Sequence, residues 1–215
     1  GRFSDASANI DDQNGGNGKI CGFSHDASTG DFDNDGDYDV FACNLLLVND
    51  GFGNFVIQED LDFTLQQAYG NPMSSLMVDL NNDNYDDLVF WNFDNRPNTM
   101  PEEGFVLISN GTSEIGNWTL IELPEGPFGR NHNKFNHAAW GDLNNDGNND
   151  VIVGITRDLP YYEGAYVQVL LGDGTGNLVD VTNTNFNDQA RQATHHGESN
   201  IYLRDFDNEI GRAHV

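Results

Sequence analysis

Basic residues are scarce: 9 Lys and Arg stand against 35 Asp and Glu in 215 residues, a formal charge of -26 at neutral pH. Such a chain repels phosphate backbones and anionic lipid, so nucleic acid is excluded as a partner and cations are the natural one. Cysteine is nearly absent. Cys21 and Cys43 are too few for a disulfide framework, and a bridge between neighbouring strands or two buried thiols are equally open readings. No run reaches the roughly 18 apolar residues that span a bilayer, so this segment inserts no helix into a membrane. Gly1 opens the chain with neither an initiator Met nor a signal-peptide pattern. Also missing are a Gly-rich phosphate loop, a paired-Cys motif, H-E-x-x-H and G-x-S-x-G.

What is abundant is glycine, asparagine and aspartate. With 24 Gly and 11% aromatics, the composition suits short strands joined by turns and predicts an all-β chain with little helix. The 37% hydrophobic content falls in regular Val, Ile, Leu and Phe runs, which argues against disorder. The acids are clustered, and the clusters repeat.

Four stretches align: "GDFDNDGDYDVFA" from Gly30, "VDLNNDNYDDLVFW" from Val78, "GDLNNDGNNDVIVG" from Gly141 and "RDFDN" from Arg204. Their leading aspartates, Asp31, Asp79, Asp142 and Asp205, are separated by 48, 63 and 63 residues. A second landmark keeps step: "GRFSDAS" from Gly1, "GNFVIQE" from Gly53, "GNWTLIE" from Gly116 and "GNLVDVT" from Gly176, each read as a glycine turn feeding an alternating strand. These glycines precede their acidic loops by 30, 26, 26 and 29 residues. Two landmarks in one phase define a repeat of about 50 to 60 residues.

Within each unit, period-2 alternation and short apolar runs such as "DLVFWNF" and "FVLIS" predict three or four strands. One such sheet cannot bury both faces, so the units must stack. A β-propeller of repeated antiparallel blades fits the period, and about four repeats are represented. "NDGFGN" and "LGDGTGN" read as tight hairpin turns.

The first acidic loop places oxygens at Asp31, Asp33, Asp35 and Asp39, with Gly36 after the third and Asp37 at position seven. Alternate residues of a tight loop turn inward, and a hard cation of calcium's size takes 6 to 8 oxygen ligands. The corresponding residues are Asp79, Asn81, Asp83, Tyr85 and Asp87 in the second copy, and Asp142, Asn144, Asp146, Asn148 and Asp150 in the third. Tyr85 supports a backbone carbonyl as the ligand at position seven. Asn84 replaces the glycine, and Asn tolerates the left-handed turn needed there. An EF-hand would demand Glu at position twelve, where Ala42, Phe90 and Val153 stand in apolar strands. Turn-making alone explains one such loop but not three in phase. Three complete calcium loops are expected, with Asp205 and Asp207 opening a truncated fourth.

"GDFDNDGDYDVFA", "GDLNNDGNNDVIVG" and the following "NDGFGNF" and "GDGTGNLVDVT" resemble the FG-GAP/VCBS-type repeats of integrin-α-like calcium-binding β-propellers. The resemblance covers nearly the whole chain, and its motif is specific for fold and metal but poor for function. It implies an extracellular, secreted or cell-surface protein of adhesion, matrix or carbohydrate-associated character. By analogy with extracellular calcium modules, the dissociation constant is expected at about 10⁻⁴ to 10⁻³ M.

No catalytic constellation is legible. His25, His137 and the pair His195 and His196 recur before acidic loops, a placement that favours packing over catalysis. Trp91 and Trp140 sit in strand patterns and read as core, while Trp118 is ambiguous. Glu102 and Glu103 read as a solvated loop. Asn110 and Asn117 head sequons that offer N-glycan acceptors. The preferred function is a noncatalytic module binding a protein or carbohydrate ligand through its loops, with self-association into a filament or layer as one form. The alternative is the propeller scaffold of a secreted carbohydrate-active or other enzyme.

The tail "EIGRAHV" resembles the translated read-through of a sequencing adapter. Residues 1–208 are therefore expected to be an incomplete propeller, and 209–215 not to be native sequence.

Overall fold

The computed structural model describes residues 3–11, 26–43, 45–58, 72–92, 104–109, 118–129, 132–157, 163–185 and 200–204. Cys21, His25, Glu102, Glu103, Asn110, Asn117, His195, His196, Asp205, Asp207 and residues 209–215 lie outside them.

Short, β-branched and aromatic runs between Asn, Asp and Gly turns form thirteen strands among the described residues, with one helical turn at Thr182–Asn185 and one 3-10 turn at Ser7–Asn9. The chain is all-β, as its composition predicts. The first sheet contains β1 (Ile10–Asp11), β2 (Ala27–Gly30), β3 (Asp39–Ala42), β4 (Leu45–Asn49) and β5 (Phe55–Gln58) in the order β1-β5-β4-β3-β2. The second is β6 (Pro72–Val78), β7 (Asp87–Asn92), β8 (Gly104–Ile108) and β9 (Thr119–Glu122). The third is β10 (Asn133–Gly141), β11 (Asp150–Arg157), β12 (Glu163–Gly172) and β13 (Leu178–Asp180). Each is a four-stranded antiparallel meander, except that β1 adds to β5 in parallel.

The glycine landmarks hold at β5, β9 and β13. The first departs: residues 3–6 form no strand, and β1 is two residues long. Hairpin turns stand where the sequence places them, with Gly51 and Gly53 at φ 75 and 81° and Gly174 and Gly176 at φ 73 and 93°.

The first strands of successive sheets are neighbours, β6 lying against β2 on one side and β10 on the other. The sheets therefore stack as blades of a partial propeller, and the second sheet buries both faces. Toward the first blade it presents Met77, Leu88, Phe90, Phe105 and Leu107, which pack with Phe32, Phe41 and Leu46. Toward the third it presents Val78, Val89, Trp91 and Val106, which pack with Val151, Val153, Ile155 and Leu170. Trp91 is fully buried and stacks on Phe135, confirming it as core, and Trp140 packs beside the same cluster. Trp118 resolves the same way: it stacks on Phe32 at 4.9 Å between ring centroids. Cys43 is disulfide-bonded.

Candidate metal centre

Each acidic loop joins the first strand of a blade to its second: residues 31–39, 79–87 and 142–150, here loops 1, 2 and 3. Their local architecture is the same. The position-one carboxylate accepts the N–H groups of positions five and six: Asp35 and Gly36 on Asp31, Asp83 and Asn84 on Asp79, Asp146 and Gly147 on Asp142. The position-five carboxylate accepts the N–H of position seven, from Asp37, Tyr85 and Asn148. Tight winding of this kind requires left-handed residues. Gly36 and Gly147 supply them at φ 93 and 89°, and Asn84 takes the same place at φ 70°. Position four is left-handed too, and is Asn in all three loops: Asn34, Asn82 and Asn145.

Two residues pin each loop to the blade. At position two Phe32 and Leu80 are buried in the cores between blades. At position nine Asp39, Asp87 and Asp150 are fully buried, each with both oxygens engaged. One oxygen accepts the position-two N–H of Phe32, Leu80 or Leu143, and the other that of Asn49, Ser109 or Gly172 beside the third strand. These carboxylates close the loop onto its hairpin whatever else they bind. Burial dominates their titration despite the N–H partners, pushing Asp39 up to about 6 and Asp87 up to about 7, and raising Asp150.

The loops differ at position three. Asn81 donates to Asp83 at 3.0 Å and Asn144 to Asp146 at 2.8 Å, while each accepts the Asp83 or Asp146 N–H. In loop 1 the position is Asp33, and its carboxylate meets those of Asp31 and Asp35 with oxygens all within 4.8 Å of one another. Asp33 Oδ1 and Asp37 Oδ1 are shielded from water and accept no hydrogen bond. Desolvation, then repulsion from Asp35 and Asp31, raises the titration of both Asp33 and Asp37. Buried, unbonded carboxylate oxygens facing like charges are what a hard divalent cation satisfies, so this donor set fits calcium. Loops 2 and 3 share the fold of the site with two carboxylates fewer, Asn81 or Asn144 standing at position three and Tyr85 or Asn148 at position seven.

Residues 79–153, spanning loops 2 and 3, match the FG-GAP-like repeat family. The match covers 75 of the 215 residues, so the likeness to an FG-GAP-like repeat holds over that stretch. No curated protein matches the chain. The matched stretch runs from the first residue of loop 2 to the middle of β11, so the FG-GAP-like repeat is phased on the acidic loops.

The Asn at position four and the apolar residue at position two are functional positions that the spacing of oxygens alone passes over, although both repeat in all three loops. His137 is half-buried with its ring 5.9 Å from Tyr202, and its Nδ1 makes no hydrogen bond. Counting back from the acidic loops, Asp26 and Ser74 occupy the place of His137, and they are hydrogen-bonded to each other across blades at 3.2 Å.

Proposed function

We propose that this chain is a noncatalytic, extracellular β-propeller module whose blade loops are stabilised by calcium, serving adhesion, surface recognition or assembly. The observation that carries the reading is the Asp33 oxygen, buried and unbonded within the Asp31, Asp33 and Asp35 group. When bound, the cation supplies the positive charge that these carboxylates lack. The protein's part is to hold them together: Asp31 and Asp35 wind the loop, and Asp39 fixes it to the hairpin. Occupancy then adds binding free energy to folding free energy.

A site with a dissociation constant of about 10⁻⁴ to 10⁻³ M fills outside cells and stays largely empty in cytosol. The disulfide at Cys43 suits the same oxidising compartment. Most acids of the described loops are committed to backbone N–H groups, which leaves the propeller's exposed loops, rather than a pair of opposed carboxylates, to meet a protein or carbohydrate ligand. Phe52 at a hairpin tip is 89% exposed and Tyr38 in loop 1 is 70% exposed, side chains suited to such contacts.

The test is thermal unfolding in millimolar calcium and in excess chelator. Chelation is expected to lower the melting temperature by about 5 to 10 °C for occupied sites worth about 2 to 3 kcal/mol in total. An unchanged melting temperature contradicts the reading.

A further inference from the structure

Position eight of loops 2 and 3 reaches across to the blade before it. Asp86 of loop 2 accepts the N–H of Asp31 at 2.8 Å, and its own N–H donates to the Asp31 carbonyl at 3.1 Å. One residue of loop 2 therefore grips the first residue of loop 1 through both its side chain and its backbone. The fit leaves no slack: a Cβ on Gly30 would lie 2.3 Å from Asp86 Oδ2 and 2.6 Å from Met77 Cβ, so glycine is required beside Asp31. At the next seam Asn149 of loop 3 donates its amide to the Asp79 carbonyl at 2.7 Å, and the N–H of Gly176 donates to the Leu80 carbonyl at 3.1 Å. Asn148 meets Asn82 there at 3.1 Å. Loops 1, 2 and 3 are thus linked by hydrogen bonds from position eight of one loop to position one of the loop before it, Asp86 to Asp31 and Asn149 to Asp79.

We propose that residue eight is an inter-blade latch that couples cation binding in adjacent loops, so that occupancy of loop 2 raises the affinity of loop 1 and the reverse. This rests on the calcium reading above. Asp31 is at once a candidate ligand of loop 1 and the far end of the latch, and Asp86 stands beside Asp87 in the ligand sequence of loop 2. A cation that orders loop 2 fixes Asp86 within it, and a fixed Asp86 holds the Asp31 backbone where loop 1 needs it. The second cation then meets a loop with less conformational freedom left to lose, which is positive coupling without any new contact.

The experiment is a calcium titration by calorimetry through a thermodynamic cycle. With loop 3 disabled by Asp142→Ala, loops 1 and 2 are titrated together, then singly after adding Asp79→Ala or Asp31→Ala. Coupling makes the product of the two joint binding constants exceed the product of the single-loop constants by at least about fivefold. Asp86→Ala abolishes that excess while both loops still bind, and Asp86→Asn, which keeps an acceptor oxygen toward the Asp31 N–H, restores it. Equal products, or an excess that survives Asp86→Ala, overturn the latch while leaving calcium binding intact. Absence of any saturable binding in the unmutated protein overturns both. If Asp86→Ala does not fold, the cycle in the Asp86-containing protein still decides whether the loops are coupled.

Discussion

In the loop after β2, Asp33 stands at the third position with one oxygen buried and unbonded, whereas in the loop after β10 the same position is Asn144, whose amide donates to Asp146. Backbone winding is shared down to the left-handed residues at positions four and six. The difference is how charge is managed. Asn144 and Asn81 spend an amide hydrogen on the neighbouring carboxylate, so loops 2 and 3 hold their shape with internal hydrogen bonds. Loop 1 has a third carboxylate in that place, and its Oδ1 is left without a hydrogen bond; the proposed cation would satisfy it. On the proposed calcium reading, one scaffold therefore carries a site that depends strongly on metal beside two that tolerate its loss.

The largest expected effect comes from what the loops share. Asp87→Ala and Asp39→Ala each strand two buried N–H groups and leave a void, and should cost about 3 kcal/mol, roughly 10 °C in melting temperature. If Asp39→Ala were harmless while Asp87→Ala was not, position nine would not be common machinery.

Acidity acts next and sharpens the contrast with metal. Burial raises Asp39, Asp86 and Asp87 to about 6, about 6 and about 7. Without a cation the native state then holds more protons than the unfolded one between about pH 4 and 7, since an unfolded Asp titrates near 4. This contribution to stability is full below about pH 4 and is lost as pH rises through about 6 to 7. In chelator, the melting temperature should fall by about 5 °C or more from pH 5 to pH 7.5, and saturating calcium should shrink or reverse that fall. A metal-free profile that rises with pH over this range would contradict the burial of these carboxylates.

Smallest is the strain at Asn84. Replacing this φ 70° residue in Asn84→Gly should stabilise loop 2 by a few tenths of a kcal/mol, whereas Gly36→Ala in loop 1 should destabilise by about 1 kcal/mol. Denaturant unfolding resolves both, and equal signs would show that the loops do not share this turn.

Much of this was legible in the chain. Alternating oxygens from Asp31 to Asp39, glycines at the hairpin tips and in-phase landmarks each state a local rule, and local rules survive folding. Asn84 was readable as a glycine substitute for the same reason. The latch was not, because Asp86 and Asn149 find their partners 55 and 70 residues away on another blade. Nor was the division of labour between position three and position nine. Both carry Asp in loop 1, and only the fold shows that Asp39 is consumed by two N–H groups while an Asp33 oxygen is left unbonded. The first glycine landmark read as a strand from its spelling alone, yet β5 already completes that sheet's meander and the segment adds only two parallel residues.

Asp33→Asn converts loop 1 into the pattern of loops 2 and 3, which makes calcium titration of this variant beside the unmutated protein the most direct test. The account predicts saturable binding in the unmutated protein, at least tenfold weaker at one site in Asp33→Asn, with metal-free stability raised by about 0.5 to 1 kcal/mol through the new hydrogen bond to Asp35. Superimposable isotherms, or a variant less stable than its parent in chelator, would contradict it.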